Sequence, residues 1–398
     1  MMNKKSYTAL LLSATLLFSP LAAPQAQAAA GSSYQFKIIT KTDQYSSVYQ
    51  DSAYMRNGTL YVQLNYLASN YGLESNFDAT GKRAGFNGWL KKIGVRDGSK
   101  TAVVDGKIVT MSQSAYFKKE KDSKEPGVYV PFKFAVEALG GTYVGYNAKT
   151  KVVTAKNLKK YDVVSTSYDG MTYAIEKGGG NVFSWDGKGK PVKIASLQGD
   201  LDWVDFKIRS TPKGLVLFSI SNSYGEPHIN SETYQLLFKE GKLIRQNHAD
   251  FGWGRSDLID TYNGQILMND GKKLRLIEDG TGNVAETLDL TKLGNKGADQ
   301  QYSIEAMDDD MMLIRNSHDY QLAAVDRSSG RSVVLYKEVL SSAEQQNVDI
   351  DSGGGPMGSG DGLTYEKRVG NTLYFTYNPL FDSGKRTVTY DLSKLINK

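Results

Sequence analysis

The sequence predicts a small α+β domain followed by an all-β domain built as a five-bladed β-propeller. Three observations carry that reading. A strand–helix–strand pattern occurs twice before residue 157, from Leu60 to Phe86 and from Pro126 to Lys156. From about Tyr161 onward, apolar runs follow turn-like groups at intervals of about 44 to 60 residues, close to the period of propeller blades. The chain also carries 40 Gly and 25 Tyr against 9 Pro and no Cys, a balance that suits many short strands, Gly-rich turns and aromatic pleated faces. At 398 residues it exceeds one ordinary core, so two domains are expected, at 33–157 and 161–398.

Residues 1–28 have the grammar of a secretory signal peptide. Lys4 and Lys5 make a basic start, Ala9 to Ala23 is apolar but broken by Ser13, Ser19 and Pro20, and Ala26-Gln27-Ala28 is a small-x-small cleavage pattern. The rival reading, an uncleaved anchor, needs about 20 uninterrupted apolar residues to span a bilayer. No later run is long enough to cross a membrane, so none is expected after cleavage. Lack of Cys excludes both a disulfide framework and a lipid-modified Cys tether. The expected location is secreted or cell-envelope associated, in a bacterium. Loss of Lys4 and Lys5 brings the formal charge of +5 nearer to neutral, and the remaining basic residues are interleaved with acids. That is a solvated surface rather than a phosphate-tracking stripe, so no nucleic-acid partner is expected.

In the first domain Ser33 to Thr40 alternates apolar and polar, as a half-buried strand should. Asn57-Gly58 is a turn signal before the strand Leu60 to Val62. Leu64, Leu67, Ala68 and Tyr71 then share one helix face, with Gly72 past its end. In the second arm Val128 to Val130 is a strand, Pro131 opens a helix, and Phe132, Ala135, Val136 and Leu139 form its buried stripe before Gly140-Gly141. Polar turns at Phe77 to Lys82 and Tyr146 to Lys151 lead each arm onward. Between the arms, Thr101 to Val109 reads as a hairpin about Asp105-Gly106.

Val104-Asp105-Gly106-Lys107-Ile108-Val109, then Val128-Tyr129-Val130-Pro131-Phe132-Lys133, Ala138-Leu139-Gly140-Gly141 and Tyr146-Asn147 before Thr150-Lys151-Val152-Val153, form an ordered series. It resembles the copper amine oxidase-like N-terminal domain, also called the stalk domain. Phe132-Lys133 stands where that family usually has Leu-Arg, and Tyr146-Asn147 where it has Trp-Asp. In those oxidases metal and redox cofactor belong to a separate catalytic domain, so the resemblance implies a scaffold without copper. The residues agree: a copper site wants clustered imidazoles, and His228, His248 and His318 all lie beyond the stalk region. No metal or other cofactor is expected.

In the second domain five apolar runs follow turns: Met171 to Ile175, Leu215 to Ile220, Gln265 to Met268, Met311 to Ile314 and Leu373 to Tyr377. Each has a second alternating run: Asn181 to Trp185, Tyr234 to Phe238, Lys273 to Ile277, Gln321 to Val325 and Arg386 to Tyr390. These predict five blades of strands alone, the competing arrangement being a β-sandwich with extra hairpins. Ser341 to Gly362 reads as a long irregular surface loop before the last blade.

Candidate chemistry is sparse. Trp185, Trp203, Trp253, Tyr224 and Tyr262 are candidates for an aromatic sugar-stacking face, against the alternative that they fill the core between blades. Asp349, Asp351 and Asp361 offer oxygen ligands for calcium, but without the spacing of a known cation loop. Asp308-Asp309-Asp310 is most simply a charged turn. The three histidines fall in different expected blades, and no G-x-S-x-G nucleophile elbow occurs. No catalytic residue stands out. The reading is therefore a non-enzymatic exported protein, whose stalk presents a propeller to a cell-wall polysaccharide or another surface protein. The alternative is an exported carbohydrate-active enzyme with its active site on the propeller face, which would need convergent carboxylates.

Overall fold

Asn57 and Gly58 both take left-handed backbone, with φ of 49° and 74°, which suits a tight hairpin turn. They join Ala53–Arg56 to Thr59–Gln63. The computed structural model describes residues 34–39, 44–49, 53–78, 80, 82–119, 123–225, 230–252, 259–294, 296–351, 360–379 and 384–396. The signal-peptide reading lies outside them. No helix among the described residues is long and apolar enough to cross a membrane.

The described chain divides into two units. One takes in Met1–Leu67, Phe77–Gly85 and Ile93–Leu158, the other Ala68–Asn76, Phe86–Lys92 and Lys159–Lys398. Both repeat arms appear as expected. Thr59–Gln63 runs straight into the helix Leu64–Asn70, and Gly127–Pro131 into the helix Phe132–Ala138. Every residue of the expected second stripe, Phe132, Ala135, Val136 and Leu139, is buried. So are Leu64 and Leu67 of the first. The arms meet through their leading strands, which pair antiparallel with Val130 opposite Val62. Asn65 locks that pairing: its Oδ1 accepts the Val128 N–H at 2.7 Å and its Nδ2 donates to the Pro126 carbonyl at 3.4 Å.

The trailing strands part company. Glu74–Asp78 joins a five-stranded sheet that ends in the hairpin Thr101–Val104 and Lys107–Thr110, where Asp105 and Gly106 have φ of 50° and 81°. Thr142–Asn147 instead pairs with Val152–Lys156, which runs parallel to Tyr34–Ile39. The arms are alike in sequence but share only their first strands.

The second unit is a succession of antiparallel sheets, each made of consecutive strands. They span Val163–Ser196, Trp203–Asp250, Thr261–Asp289, Tyr302–Val334 and Leu363–Asp391, the last with three strands among the described residues. Eight of the ten runs read from the sequence fall wholly on strands of these sheets, and the other two begin one residue early, at Leu215 and Gln321. Period-2 alternation explains how the sheets are joined. In the second sheet Phe218, Ile220, Leu236 and Phe238 pack with Ile175 and Val182 of the first. The residues between them, Leu217 and Leu237, pack instead with Ile266 and Met268 of the third. Further cores join the third sheet to the fourth, through Leu276 and Ile314, and the fourth to the fifth, through Leu313 and Phe375.

Two expectations need correction. The region is not strands alone, for short helices lie at Leu290–Gly294, Leu335–Val339, Ser342–Asp351 and Ser393–Ile396. Nor is Ser341 to Gly362 an irregular surface loop throughout. Ser341 opens a helix as one half of a capping box: its N–H and hydroxyl both donate to the Glu344 carboxylate, at 3.1 and 2.7 Å. Val348 anchors that helix at zero exposure, and at the far end Asp361 is wholly buried. The Gly353 to Gly355 run lies outside the described residues.

Candidate functional site

The five aromatic candidates do not gather. Trp185 ends the third strand of the first sheet and packs edge-on against Trp89, ring centroids 6.1 Å apart; both belong to the second unit. Tyr262, at the start of the third sheet, donates to Asp309 and accepts from Arg327 at 3.1 Å, with the guanidinium 5.1 Å from its ring centre. Trp253 lies outside the described residues. Trp203 and Tyr224 share the second sheet, but Trp203 stands opposite Ser223, so alternation puts Tyr224 on the other face.

Trp203 opens the strand that lines a concavity. Its strand, Trp203–Ser210, carries Asp205 and Lys207 on the same face at the next two alternate positions. Asp205 lies opposite Ser221, which lies opposite Thr233; Lys207 lies opposite Ser219, which lies opposite Gln235. These two polar rungs line a groove of about 350 Å³, closed on one side by Arg209 and Asp260. Arg209 Nε donates to Asp260 Oδ2 at 3.1 Å. Gln235 Nε2 is committed to the Leu267 carbonyl at 2.9 Å, leaving Ser219, Ser221 and Thr233 as the hydroxyl floor. Trp203, 64% exposed, stands one rung beyond Asp205 on this face. Alternation shapes the groove. At Leu217 and Leu237 the sheet packs on the third, Gln235 on the next rung still reaches the Leu267 carbonyl, and Ser219 and Ser221 are partly exposed.

The opposite face of the same sheet holds a polar cluster that sequence reading missed. Glu232 accepts from Asn222 Nδ2 at 2.7 Å and meets His248 Nε2 at 2.9 Å. The His248 ring stacks on Tyr234 at 4.4 Å. Tyr224 donates its hydroxyl between both oxygens of Asp250, each at 2.8 Å. Burial works to raise the Glu232 carboxyl, but hydrogen bonds from His248, Asn222 and Tyr234 hold it below the usual range. Burial, reinforced by the Asp250 carboxylate, pushes the Tyr224 hydroxyl up. The available signal was the i, i+2 polar spacing of Asn222/Tyr224, Glu232/Tyr234 and His248/Asp250 on three consecutive strands. His228 and His248 were expected in different blades. The residues flanking His228, at Val216–Tyr224 and Asn230–Lys239, belong to the sheet that carries His248, and His228 itself is outside the described residues.

The remaining acidic candidates are engaged. Asp308, Asp309 and Asp310 form the turn expected of them: Arg368 pairs with Asp308 at 3.2 Å and with Asp310, and Asn263 donates to Asp309 at 2.9 Å. Asp349 accepts the Tyr336 hydroxyl. Asp361 is held by Arg315 at 2.9 Å and by the backbone N–H of Leu322 and Leu363. Asp361 has both carboxylate oxygens engaged, Asp349 has one, and the side chain of Asp351 lies outside the described residues.

Asp326 shows how such turns are fixed. Its Oδ1 accepts from Ser328 N–H at 2.9 Å and Ser328 Oγ at 2.7 Å, and Ser329 Oγ donates to Oδ2. Burial alone would raise this carboxyl, but the serine donors hold it down to about 2. A lowered carboxylate stabilises the fold above its unfolded pKa and loses that contribution as the pH falls through the folded one. The unfolding free-energy gap between wild type and Asp326→Asn is thus expected to shrink by about 2 kcal/mol between pH 5 and pH 2. Urea titrations across that range read it, and a gap independent of pH would contradict it.

Comparison with known proteins adds a partial likeness. A sequence profile of the copper amine oxidase N-terminal domain matches residues 41–122. The match takes in the first arm and the Asp105-Gly106 hairpin, and stops short of Val128 to Lys133. It contains neither His nor Cys, so it offers no imidazole or thiolate to copper. No curated protein matches the chain. Among solved structures, a protein of unknown function from Bacteroides caccae aligns at 11% identity and TM-score 0.24, over 78% of this chain and 90% of its own. A puromycin-hydrolyzing peptidase of Mycobacterium tuberculosis aligns at 10% identity and TM-score 0.26, over 82% of this chain and 47% of its own. The AfRom2 CNH domain aligns at 11% identity and TM-score 0.23, over 80% of this chain and 96% of its own.

Proposed function

We propose that the protein is an exported, non-catalytic binding protein in which a stalk-like module presents a five-bladed β-propeller to a cell-wall polysaccharide. The observation that carries this is a groove lined by Ser219, Ser221, Thr233, Asp205 and Lys207, with the exposed Trp203 one alternate position before Asp205 on the same face of the strand. Sugar rings stack their C–H faces on an indole and exchange hydrogen bonds with hydroxyls and carboxylates, and this face offers both. Five consecutive antiparallel sheets, each packed on the next, support the propeller reading.

Glu232 and Asp361 do not form a glycosidase pair. A glycosidase needs one carboxyl held protonated as its general acid beside a second carboxylate. Glu232 is held ionised, and Asp361, which burial pushes upward, has zero exposure and no route to a substrate. The test is titration of the full chain with purified cell-wall polysaccharide, followed by Trp fluorescence. Trp203→Ala is expected to lose about 10-fold or more in affinity, the effect of removing an aromatic anchor, with unchanged thermal stability. Unchanged affinity would reject the groove, and shortened polysaccharide chains after incubation would move the protein to the enzymatic alternative.

A further inference from the structure

An asparagine followed by glycine is a step at which a chain readily attacks its own side chain, because no Cβ shields the glycine nitrogen. The chain has three such steps, Asn57-Gly58, Asn87-Gly88 and Asn263-Gly264. The fold treats them differently. At Asn87-Gly88 the attacking nitrogen is engaged, since the Gly88 N–H donates to the Lys91 carbonyl at 2.7 Å, and a Cβ at Gly88 would lie 2.6 Å from Leu73 Cδ2. At Asn263-Gly264 the leaving amide is engaged, since Asn263 Nδ2 donates to Asp309 Oδ1 at 2.9 Å. At Asn57-Gly58 neither group is held. The Gly58 N–H and the Asn57 side chain make no hydrogen bond among the described residues, both residues are exposed, and a Cβ at Gly58 would meet no atom within 4 Å.

We propose that Asn57-Gly58 is a self-modification site, where the asparagine converts to aspartate and isoaspartate ahead of the other two steps. The Gly58 nitrogen gives up its proton to solvent base and bonds to Asn57 Cγ; the Cγ–Nδ2 bond breaks, and Nδ2 takes up a proton and leaves as ammonia. Water then adds to one carbonyl of the resulting cyclic imide and breaks its bond to the Gly58 nitrogen. Opening at Cγ leaves aspartate, and opening at the main-chain carbonyl leaves isoaspartate. One water enters and one ammonia departs. The turn makes the change consequential. It joins two strands whose register sets Arg56 opposite Thr59, and isoaspartate adds a methylene to its main chain. Either product also places a carboxylate next in sequence to Arg56, whose guanidinium lies 4.6 Å from the centre of the Tyr116 ring. The reaction therefore alters the first arm, and it is independent of the Trp203 groove.

The experiment incubates the full chain at neutral and at mildly alkaline pH, digests it, and follows the three Asn-Gly peptides by mass spectrometry with isoaspartate separated from aspartate. A hydrogen bond that must break before the reaction slows it about 5-fold, so Asn57 is expected to convert at least that much faster than Asn87 or Asn263. Its rate should rise with pH, because the attacking nitrogen must lose a proton. Asp309→Ala frees the Asn263 amide and is expected to raise its rate about 5-fold while leaving that of Asn57 unchanged. In urea the three rates should converge, because the fold no longer holds any of them. Three results would overturn the assignment: Asn57 converting no faster than Asn87 or Asn263 in the folded chain, an Asn263 rate unmoved by Asp309→Ala, or the same ranking in urea, which would trace it to neighbouring residues alone.

Discussion

Arg315→Met is expected to cost about 3–5 kcal/mol, because it strands a buried carboxylate. Arg315 lies on Met311–Asn316 at 6% exposure, and Asp361, at 0%, has it as its counter-ion. The guanidinium donates to Asp361 Oδ1 at 2.9 Å, to the Tyr320 carbonyl at 2.6 Å, to the Leu363 carbonyl at 2.7 Å, and through two nitrogens to Glu305. It therefore fastens the fourth sheet to the first strand of the fifth. Without it, Asp361 must either take up a proton or stay charged at zero exposure, and three acceptors lose their donor. Asp361→Asn removes the buried charge and leaves Arg315 paired with Glu305, so it is expected to cost less, although its single amide oxygen can serve only one of the Leu322 and Leu363 N–H groups, which bond to different oxygens. The double variant should fall well short of the sum of the two, since both remove one interaction. Urea denaturation of all four proteins measures the cycle. A loss below about 1 kcal/mol for Arg315→Met would show that water reaches the site and the ion pair is not a structural tie.

That node also shows where sequence reading stopped. Met311 to Ile314 announces a strand because four apolar residues in a row need burial on both faces, and both faces are buried. Arg315 looks like the polar end of that strand, and Asp361 like one residue in a Gly-rich loop; only the fold brings them together across 46 positions. The same holds for the groove. Trp203 was legible as an aromatic candidate, but Ser219, Ser221 and Thr233 look like ordinary outward positions until the register sets them in rungs. Local signals fared better. Asn57-Gly58, Asp105-Gly106 and the helix stripes are set by neighbouring residues alone, and each stands where it was expected. The capping box at Ser341 and Glu344 was a local signal too, and was overlooked because the Gly-rich residues after it suggested a loop.

Phe132→Ala tests the other expectation of large effect, that the second arm is a scaffold. Phe132 is 2% exposed, with its ring 5.0 Å from that of Phe36 and 6.0 Å from that of Tyr143. It opens the helix just after Pro131, whose φ of −54° suits the turn from strand into helix. Truncation leaves a cavity between that helix and the inner face of the sheet holding Phe36, and is expected to cost about 3–5 kcal/mol. Phe132→Leu, which refills most of the volume, should cost clearly less. The loss should be local. Amide exchange should accelerate in Tyr34–Ile39 and Val152–Lys156, the strands whose inner face carries Phe36, Val153 and Ala155. The Phe218 core of the second sheet should keep its protection, because it draws on a separate set of side chains. Equal loss of protection in both would mean that the two units unfold as one, and the second arm would then support more than the module it was read from.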